Sequence, residues 1–268
     1  MISKKLSDNT NLLKYFICKM CFDASSGHPA SSLSCAEIVS ILHFEIMESN
    51  DKFIMSKGHA APALYSALII NNTLSKKYLS ELRKIDSPLQ GHPDVNRLPQ
   101  VNLTSGALGQ GLSFSIGLAL SKKIKKEQGY IYCLLGDGEV QEGQVWEAAM
   151  FGGNSSLDNL IVFLDNNGGQ SDGKVIDIMS IEPLKDKWVS FGWHVEKING
   201  HSLAEISKTV ESYKDSRVKK PLMIISNTSK GYINKNLTIL NGQHGGSIKE
   251  HDLDLVKSEL QINESYFE

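Results

Sequence analysis

Tyr130-Ile-Tyr-Cys-Leu-Leu135 runs directly into Gly136-Asp137-Gly138, and Asn159-Leu-Ile-Val-Phe-Leu164 runs directly into Asp165-Asn166-Asn167. Each is a short apolar run, rich in branched or aromatic residues, that ends on polar groups. That is how a buried parallel strand reads where its carboxyl end meets solvent. Glu142 to Met150 between them carries helix formers, so the unit is strand, acidic turn, helix, strand. Ligands of a parallel α/β sheet sit outside the carboxyl ends of the strands. Asp137 and Asn167 both fall there, one crossover apart. Gly136 and Gly138 allow close approach of backbone to a ligand. One carboxylate and one amide oxygen, with room for a backbone carbonyl, suit a hard divalent cation that keeps phosphate oxygens as its other ligands. Mg²⁺ holding a diphosphate is the simplest reading; the alternative is two plain βα turns, since Asp-Gly is ordinary turn chemistry.

The chain has 268 residues, long enough for one large α/β domain, and its 41% hydrophobic and 22% charged content is that of a soluble globular protein. A net charge of −2 without a basic block argues against nucleic acid or an anionic membrane as main partner. No apolar run reaches the length of a membrane span, and Met1 to Asp8 lacks the apolar core of a secretion signal, so a cytoplasmic location is expected. Cys18-Lys-Met-Cys21 has redox or zinc-like spacing. It falls late in an amphipathic helix marked by Leu12, Leu13, Phe16, Ile17 and Met20, with no second pair to complete a metal site. Cys18, Cys21, Cys35 and Cys133 therefore read as buried or idle thiols.

Outward from the central unit, strands alternate with helices, which implies a mainly parallel sheet covered on both faces, a three-layer αβα fold. Before it come a polar loop at Ser25 to Ser32 and a capping box, Ser34-Cys-Ala-Glu37, opening a helix through about Met47. A short strand at Asp51 to Ser56 follows, then a helix from Ala61 to Ile70 with Pro62 in its first turn, and a helix from Ser75 to Ile85. Gly106-Ala-Leu-Gly-Gln-Gly111 leads into an apolar helix ending in Lys122-Lys-Ile-Lys-Lys126. The lysines suit a solvated helix C-terminus. The glycines are not spaced as in a dinucleotide fingerprint, and no Walker sequence occurs. After it are expected a helix at Leu184 to Phe191, a strand at Trp193 to Ile198, a helix at Leu203 to Tyr213 and a strand at Leu222 to Ser226. A long loop at Ser229 to Gly246 and a closing helix at Leu253 to Leu260 complete the chain. Residues 1–268 thus read as one domain with a C-terminal loop and helix from about 229.

Four histidines stand beside glycine or proline in loops: His28, His59, His92 and His244. One such histidine is usually a surface group. Four in the same irregular context point to imidazoles that bind hydroxyls, a carbonyl or a diphosphate and shuttle protons near neutral pH. His43 and His251 lie in helical patterns and read as structural, while His194 and His201 have no assigned role.

Together, Ser26-Gly-His-Pro29, Ser56-Lys-Gly-His-Ala60, Gly91-His-Pro-Asp94, the 106–111 glycines, Leu135 to Ala149 and Phe191-Gly-Trp-His194 resemble the N-terminal half of transketolase, and most of all the N-terminal subunit of its split form. The match runs from about residue 10 to 228. The resemblance implies thiamine diphosphate and Mg²⁺ as cofactors, bound by a diphosphate-binding domain. Asp137, Asn167 and the Gly169 carbonyl would hold the metal. His59, Gly136 and Gly138 would lie at the diphosphate, and Gly106 and Leu108 at the aminopyrimidine. His28, His92 and His244 would face the substrate. Glu142 and Glu147 match family glutamates near the cofactor at the subunit interface; otherwise they are ordinary first-turn helix acids. Ala30 stands where the family has glycine, and Asn166 and Gly169 replace a tyrosine and a larger apolar residue.

The resemblance further implies a two-carbon ketol transfer from a ketose, or ketose phosphate, to an aldose. It implies a partner, too: a pyrimidine-binding C-terminal subunit, two copies of each chain forming a heterotetramer. A relative serving a dedicated biosynthetic pathway with a non-standard acceptor, the α subunit of a 2-oxoacid dehydrogenase, and a non-catalytic cofactor-binding or scaffold subunit stay open as alternatives.

Overall fold

The computed structural model describes residues 2–216, 218–240 and 245–263. In chain order the strands among them are β1 (Lys52–Met55), β2 (Ile131–Gly136), β3 (Leu160–Asn166), β4 (Gly169–Gln170), β5 (Gly173–Lys174), β6 (His194–Asn199), β7 (Leu222–Asn227), β8 (Tyr232–Asn234) and β9 (Leu237–Thr238). Five of them form one sheet in the order β1-β2-β3-β7-β6, each neighbouring pair parallel. The helices are α1 (Lys4–Asp23), α2 (Pro29–Leu33), α3 (Ala36–Ile41), α4 (Ala61–Ile70), α5 (Gln110–Lys125), α6 (Gly143–Asn154), α7 (Val175–Ile178), α8 (Leu184–Ser190), α9 (Leu203–Asp215) and α10 (Glu250–Glu259). None of the described helices is long and apolar enough to cross a membrane.

The strands read as unbroken apolar runs because both faces of the sheet are covered. Tyr132 and Leu134 of β2 join the core that includes residues of α1, α3, α4, α9 and α10. Ile131, Cys133 and Leu135 join the opposite core with α5, α6 and α8. Successive side chains of one strand thus enter two separate cores, the three-layer arrangement expected from the sequence. Each fully buried Leu, Ile or Val stabilises by roughly 1.5–3 kcal/mol, so the three inner strands β2, β3 and β7 are the most strongly held elements of the sheet.

Several expected boundaries are corrected. Ser34 is not the N-cap of α3, which begins at Ala36 after Cys35; it closes α2 instead, and its hydroxyl donates to Asp165 at 2.6 Å. Glu37, the other half of the expected capping box, is buried in an ion pair with Lys14. The polar stretch at Ser25 to Ser32 contains the start of α2, with Pro29 at its first position. The helix expected over Ser75 to Ile85 shrinks to one tight turn, Lys76–Ser80. Arg83 and Asp86 beyond it take left-handed φ of 60° and 65°, and the Arg83 N–H donates to Leu89 O at 2.7 Å. The long loop after Ser229 carries the β8–β9 hairpin, and the closing helix starts at Glu250. All four cysteines are buried and unpaired; burial pushes Cys21 and Cys35 up to about 12, so both stay protonated.

Two glycines of α6 differ sharply in what surrounds them. A Cβ on Gly153 would stand 1.8 Å from the Phe191 carbonyl oxygen, whereas one on Gly143 would meet nothing within 4 Å. Gly153→Ala should therefore lower stability by about 1–3 kcal/mol through forced backbone movement. Gly143→Ala should be neutral or stabilising by up to about 1 kcal/mol. Urea midpoints of the two variants check this; equal midpoints would show that the α6–α8 junction is loose.

Candidate active site

Four adjacent strands deliver polar groups to one edge of the sheet: Lys57 after β1, Asp137 after β2, Asp165 and Asn167 at the end of β3, Thr228 after β7. Asp165 is fully buried. Its Oδ2 accepts from Lys57 Nζ, from Ser34 Oγ at 2.6 Å and from Asn167 Nδ2 at 3.0 Å, and its Oδ1 accepts from Thr228 Oγ1. Lys57 Nζ also donates to the Ser31 carbonyl at 3.0 Å. Burial alone would raise the Asp165 pKa, but Lys57 and the hydroxyls of Ser34 and Thr228 hold it below the ordinary carboxylate value. Burial likewise works against the charge on Lys57, and Asp165 outweighs it. The pair is ionised.

Asp137 opens the turn after β2. Its Oδ1 accepts from Gly138 N at 2.8 Å and its Oδ2 from Gly168 N at 2.5 Å. The Asn167 amide is turned by its bond to Asp165, so that Oδ1 accepts from Gly169 N at 3.1 Å. Glu139, a further buried carboxylate, accepts from Ser56 Oγ, from Gly109 N at 2.8 Å and from Gly136 N at 3.0 Å. It ties the glycine-rich entry of α5 to the ends of β1 and β2. That entry requires glycine twice: Gly109 has φ 88°, and a Cβ on Gly111 would lie 2.2 Å from Ser56 Oγ.

Between these groups lies a cavity of about 180 Å³ whose wall includes Lys57, His59, Leu108, Asp137, Asn167 and Gln170. Gly136, Gly138, Gly169 and Glu142 also border it. Ser31 Oγ and Gln170 Oε1 are buried without a hydrogen-bond partner among the described residues. Buried polar atoms of this kind call for a ligand or water. Among the described residues no three His, Cys, Asp or Glu side chains gather as a metal cluster. A cation here would therefore rest on one carboxylate, an amide oxygen and backbone carbonyls, leaving positions for a ligand's oxygens. These donors fit Mg²⁺ bound with a diphosphate.

The other expected residues are placed as follows. His28 and His59 meet edge to face with ring centroids 5.4 Å apart. A Cβ on Gly106 would lie 3.4 Å from the ring of His92, so backbone covers one face of that imidazole. Burial of that face, with the nearby Arg83 charge, holds the His92 pKa below 6.5, and the ring is neutral at pH 7. Glu147 is exposed one helical turn beyond Glu142 and does not border the cavity. His244 lies outside the described residues, although Gly246 N donates to Gly27 O at 3.0 Å beside His28. The sequence reading missed Lys57, Glu139, Asp165 and Lys230. Lys230 Nζ lies 3.1 Å from where a Cβ on Gly169 would stand, so the glycine at 169 is what admits it. The missed signal was a charge at or near the end of an apolar strand.

Burial, then Asp165, raise the Asp137 pKa to about 6 against the two N–H donors and Lys57. A carboxyl raised on folding stabilises below its unfolded pKa, and that stability is lost as pH rises through the folded value. The ligand-free chain should lose on the order of 3 kcal/mol from this group between pH 4 and 7. Asp137→Asn, which mimics the protonated acid, should match wild type at pH 4 and exceed it at pH 8 in urea unfolding. Parallel pH profiles would mean that the charge is already compensated without a cation.

The model of the family described as "Transketolase, thiamine diphosphate binding domain" matches residues 7–268. A 6-deoxy-6-sulfo-D-fructose transketolase subunit of Clostridium sp. (strain MSTE9) is 42% identical over 214 residues, 76% of this chain and 78% of that subunit. An apulose-4-phosphate transketolase subunit of Phocaeicola vulgatus is 38% identical over 219 residues, 78% and 77% of the two chains. The solved transketolase of Campylobacter jejuni superposes with a TM-score of 0.90 at 31% identity, covering 98% of this chain and 44% of that longer one. Two of these relatives are separate subunits matched over most of their length, and the third is a chain of which this one spans less than half. The chain therefore belongs to the transketolase family, as the N-terminal subunit of a split transketolase-type transferase.

Proposed function

We propose that this subunit binds thiamine diphosphate through Mg²⁺ and, with a partner subunit, transfers a two-carbon ketol unit from a ketose or ketose phosphate to an aldose. The observation that carries the reading is the convergence of Asp137, Asn167 and Gly169 on a cavity with unpartnered buried polar atoms. Asp137, the Asn167 amide oxygen and the Gly169 carbonyl would hold the metal. His59 and the backbone at Gly136 and Gly138 would receive the diphosphate, and the backbone of Gly106 and Leu108 the aminopyrimidine. The cofactor, when bound, supplies the nucleophilic carbon that carries the two-carbon unit. This chain's part is to anchor it and to surround the reacting sugar with imidazoles.

His28 and His92 would donate hydrogen bonds to the sugar's hydroxyls and carbonyl oxygen as negative charge develops there, with His244 as a third such group. The lowered pKa of His92 favours a neutral ring, able to both donate and accept. Glu142 at the cavity rim and Glu147 beyond it would face the partner chain. The exposed apolar side chains Ile176, Ile178 and Met179 support a partner face beside the site. Gln141, which borders the cavity, donates to the Met179 carbonyl at 2.8 Å and joins that face to the metal turn. A pyrimidine-domain subunit, two of each chain per assembly, is the partner this reading requires. A dedicated pathway with an unusual acceptor is the second reading, favoured by the names of the two subunit relatives, which concern a sulfonated sugar and apulose phosphate.

Asp137→Ala should abolish Mg²⁺-dependent thiamine diphosphate binding by the assembled enzyme while circular dichroism stays native; unchanged affinity by calorimetry would remove the metal assignment. His28→Ala or His92→Ala should lower kcat/KM by roughly 10²–10³, the typical effect of losing one charge-stabilising donor, with cofactor affinity retained. A donor–acceptor assay should detect turnover only when both subunits are mixed. Turnover by this chain alone would overturn the two-subunit reading.

A further inference from the structure

Arg83 reaches the candidate substrate side from the segment between the Lys76–Ser80 turn and Gly91. Its backbone is left-handed, φ 60°, a conformation that non-glycine residues adopt only when the surroundings hold it. Here the hold is the N–H bond to Leu89 O at 2.7 Å. The side chain then lies over Gly91, where a Cβ would stand 3.0 Å from Nε and Nη2. Nη1 donates to Ser26 Oγ at 2.8 Å, and Nη2 lies 3.5 Å from His28 Nδ1. A guanidinium has donors only and stays charged, so Nδ1 must be the acceptor and the ring hydrogen of a neutral His28 sits on Nε2. The Nε2 edge runs beside Gly245, where a Cβ would stand 3.4 Å away, so a residue without a side chain borders that edge. His59 meets the His28 ring edge to face, and the thiol of Cys21, behind Gly27, stays protonated.

We propose that Arg83 is a positioning residue that fixes His28 as the Nε2–H tautomer and aims that N–H at a substrate oxygen. The proposal rests on the reading of His28 as substrate-facing. The guanidinium fork is needed as well as the charge, because one nitrogen is anchored on Ser26 while the other addresses the ring. A lysine ammonium, a single point charge, cannot do both in fixed geometry. The same side chain borders the His92 loop through Gly91, so one residue sets the placement of two imidazoles.

The test uses the full chain labelled with ¹⁵N-histidine and long-range ¹H–¹⁵N spectra at pH 8, with His28→Gln identifying the signal. Wild type should show an unprotonated Nδ1 and a protonated Nε2 for His28. Arg83→Asn tolerates the left-handed backbone while removing the guanidinium, and should move both nitrogens toward averaged values. Arg83→Lys, which keeps the charge, should restore the wild-type pattern only in part. In the assembled enzyme, Arg83→Asn should lower kcat by roughly 10–100-fold, by analogy with the loss of groups that orient metal-ligating histidines, with cofactor affinity unchanged. A wild-type His28 protonated on Nδ1, or spectra identical in Arg83→Asn, would overturn the proposal, and so would a tautomer change that leaves kcat untouched. Failure of the underlying reading looks different: His28→Ala would then retain kcat although the tautomer still responds to Arg83→Asn.

Discussion

Lys57 and Asp165 meet with almost no solvent contact, 1% and 0% exposed, and Ser31, Ser34, Asn167 and Thr228 are placed relative to that ion pair. Such a pair need not stabilise the fold, because removing two charges from water offsets most of their attraction. What it does is make each partner indispensable to the other: removing one leaves a buried unpaired charge, at a cost of about 3–5 kcal/mol. The ends of β1 and β3 are therefore locked together across the intervening β2. Asp165 distributes its remaining acceptor capacity to Ser34, Thr228 and Asn167, which fixes the start of α3, the exit of β7 and the Asn167 amide. Lys57 and Asp165 act in opposite directions on Asp137, Asp165 raising its pKa and Lys57 lowering it. Burial then leaves Asp137 as a carboxylate short of positive charge, which is the electrostatic condition for holding a cation.

A second buried network holds the segment that carries Thr228 and Lys230. Lys14 Nζ donates to Glu37 and, at 2.5 Å, to the Ile233 carbonyl. Glu37 Oε2 lies 3.0 Å from His201 Nδ1, while His201 Nε2 accepts from Ser229 N at 2.9 Å. The neutral ring thus has a defined tautomer, and it stacks on Tyr232 with centroids 3.6 Å apart. Thr228 and Lys230 flank Ser229, so α1, α3 and the turn after β6 together decide where they stand. Two ion pairs drawn from distant parts of the chain, one on each side of β7's exit, convert a glycine- and asparagine-rich stretch into a fixed wall.

This explains which parts of the molecule were legible in the sequence. The strands β2 and β3, the turn at Asp137 and the helix α4 were readable because their signals are local: apolar runs, a glycine-flanked acid, a proline in a first turn. The long-range partners were not. Ser34 with Glu37 has the spacing of a capping box, yet both side chains are claimed by groups far away in sequence, Asp165 and Lys14. Helix propensity over Ser75 to Ile85 loses to the left-handed turns at Arg83 and Asp86, which tertiary contacts hold. His201 carried no local signal at all, since its role is defined by Glu37 and Ser229. Glu139 was hidden for a different reason: inside an acidic turn, a carboxylate that binds three groups of the protein looks the same as one that binds solvent.

The two ends of the site are built differently, and the difference bears on what each can do. The end at Asp137 and Asn167 rests on strands, buried ion pairs and carboxylates whose acceptors are largely filled, so its geometry is fixed before any ligand arrives. The histidine end rests on loops: His28 precedes a five-residue helix, His92 follows Gly91, and Arg83 depends on one strained turn. Loops tolerate substitution where a strand-end network does not. A strand-end network joined to a loop-built rim lets the rim change while the strand end stays in place. Gly169 sits at the junction. Its missing side chain opens the space that Lys230 fills from the other wall. A larger residue there would displace the lysine, whereas the partners of Asp137 and Asn167 are backbone N–H groups and Asp165, which a side chain at 169 does not replace.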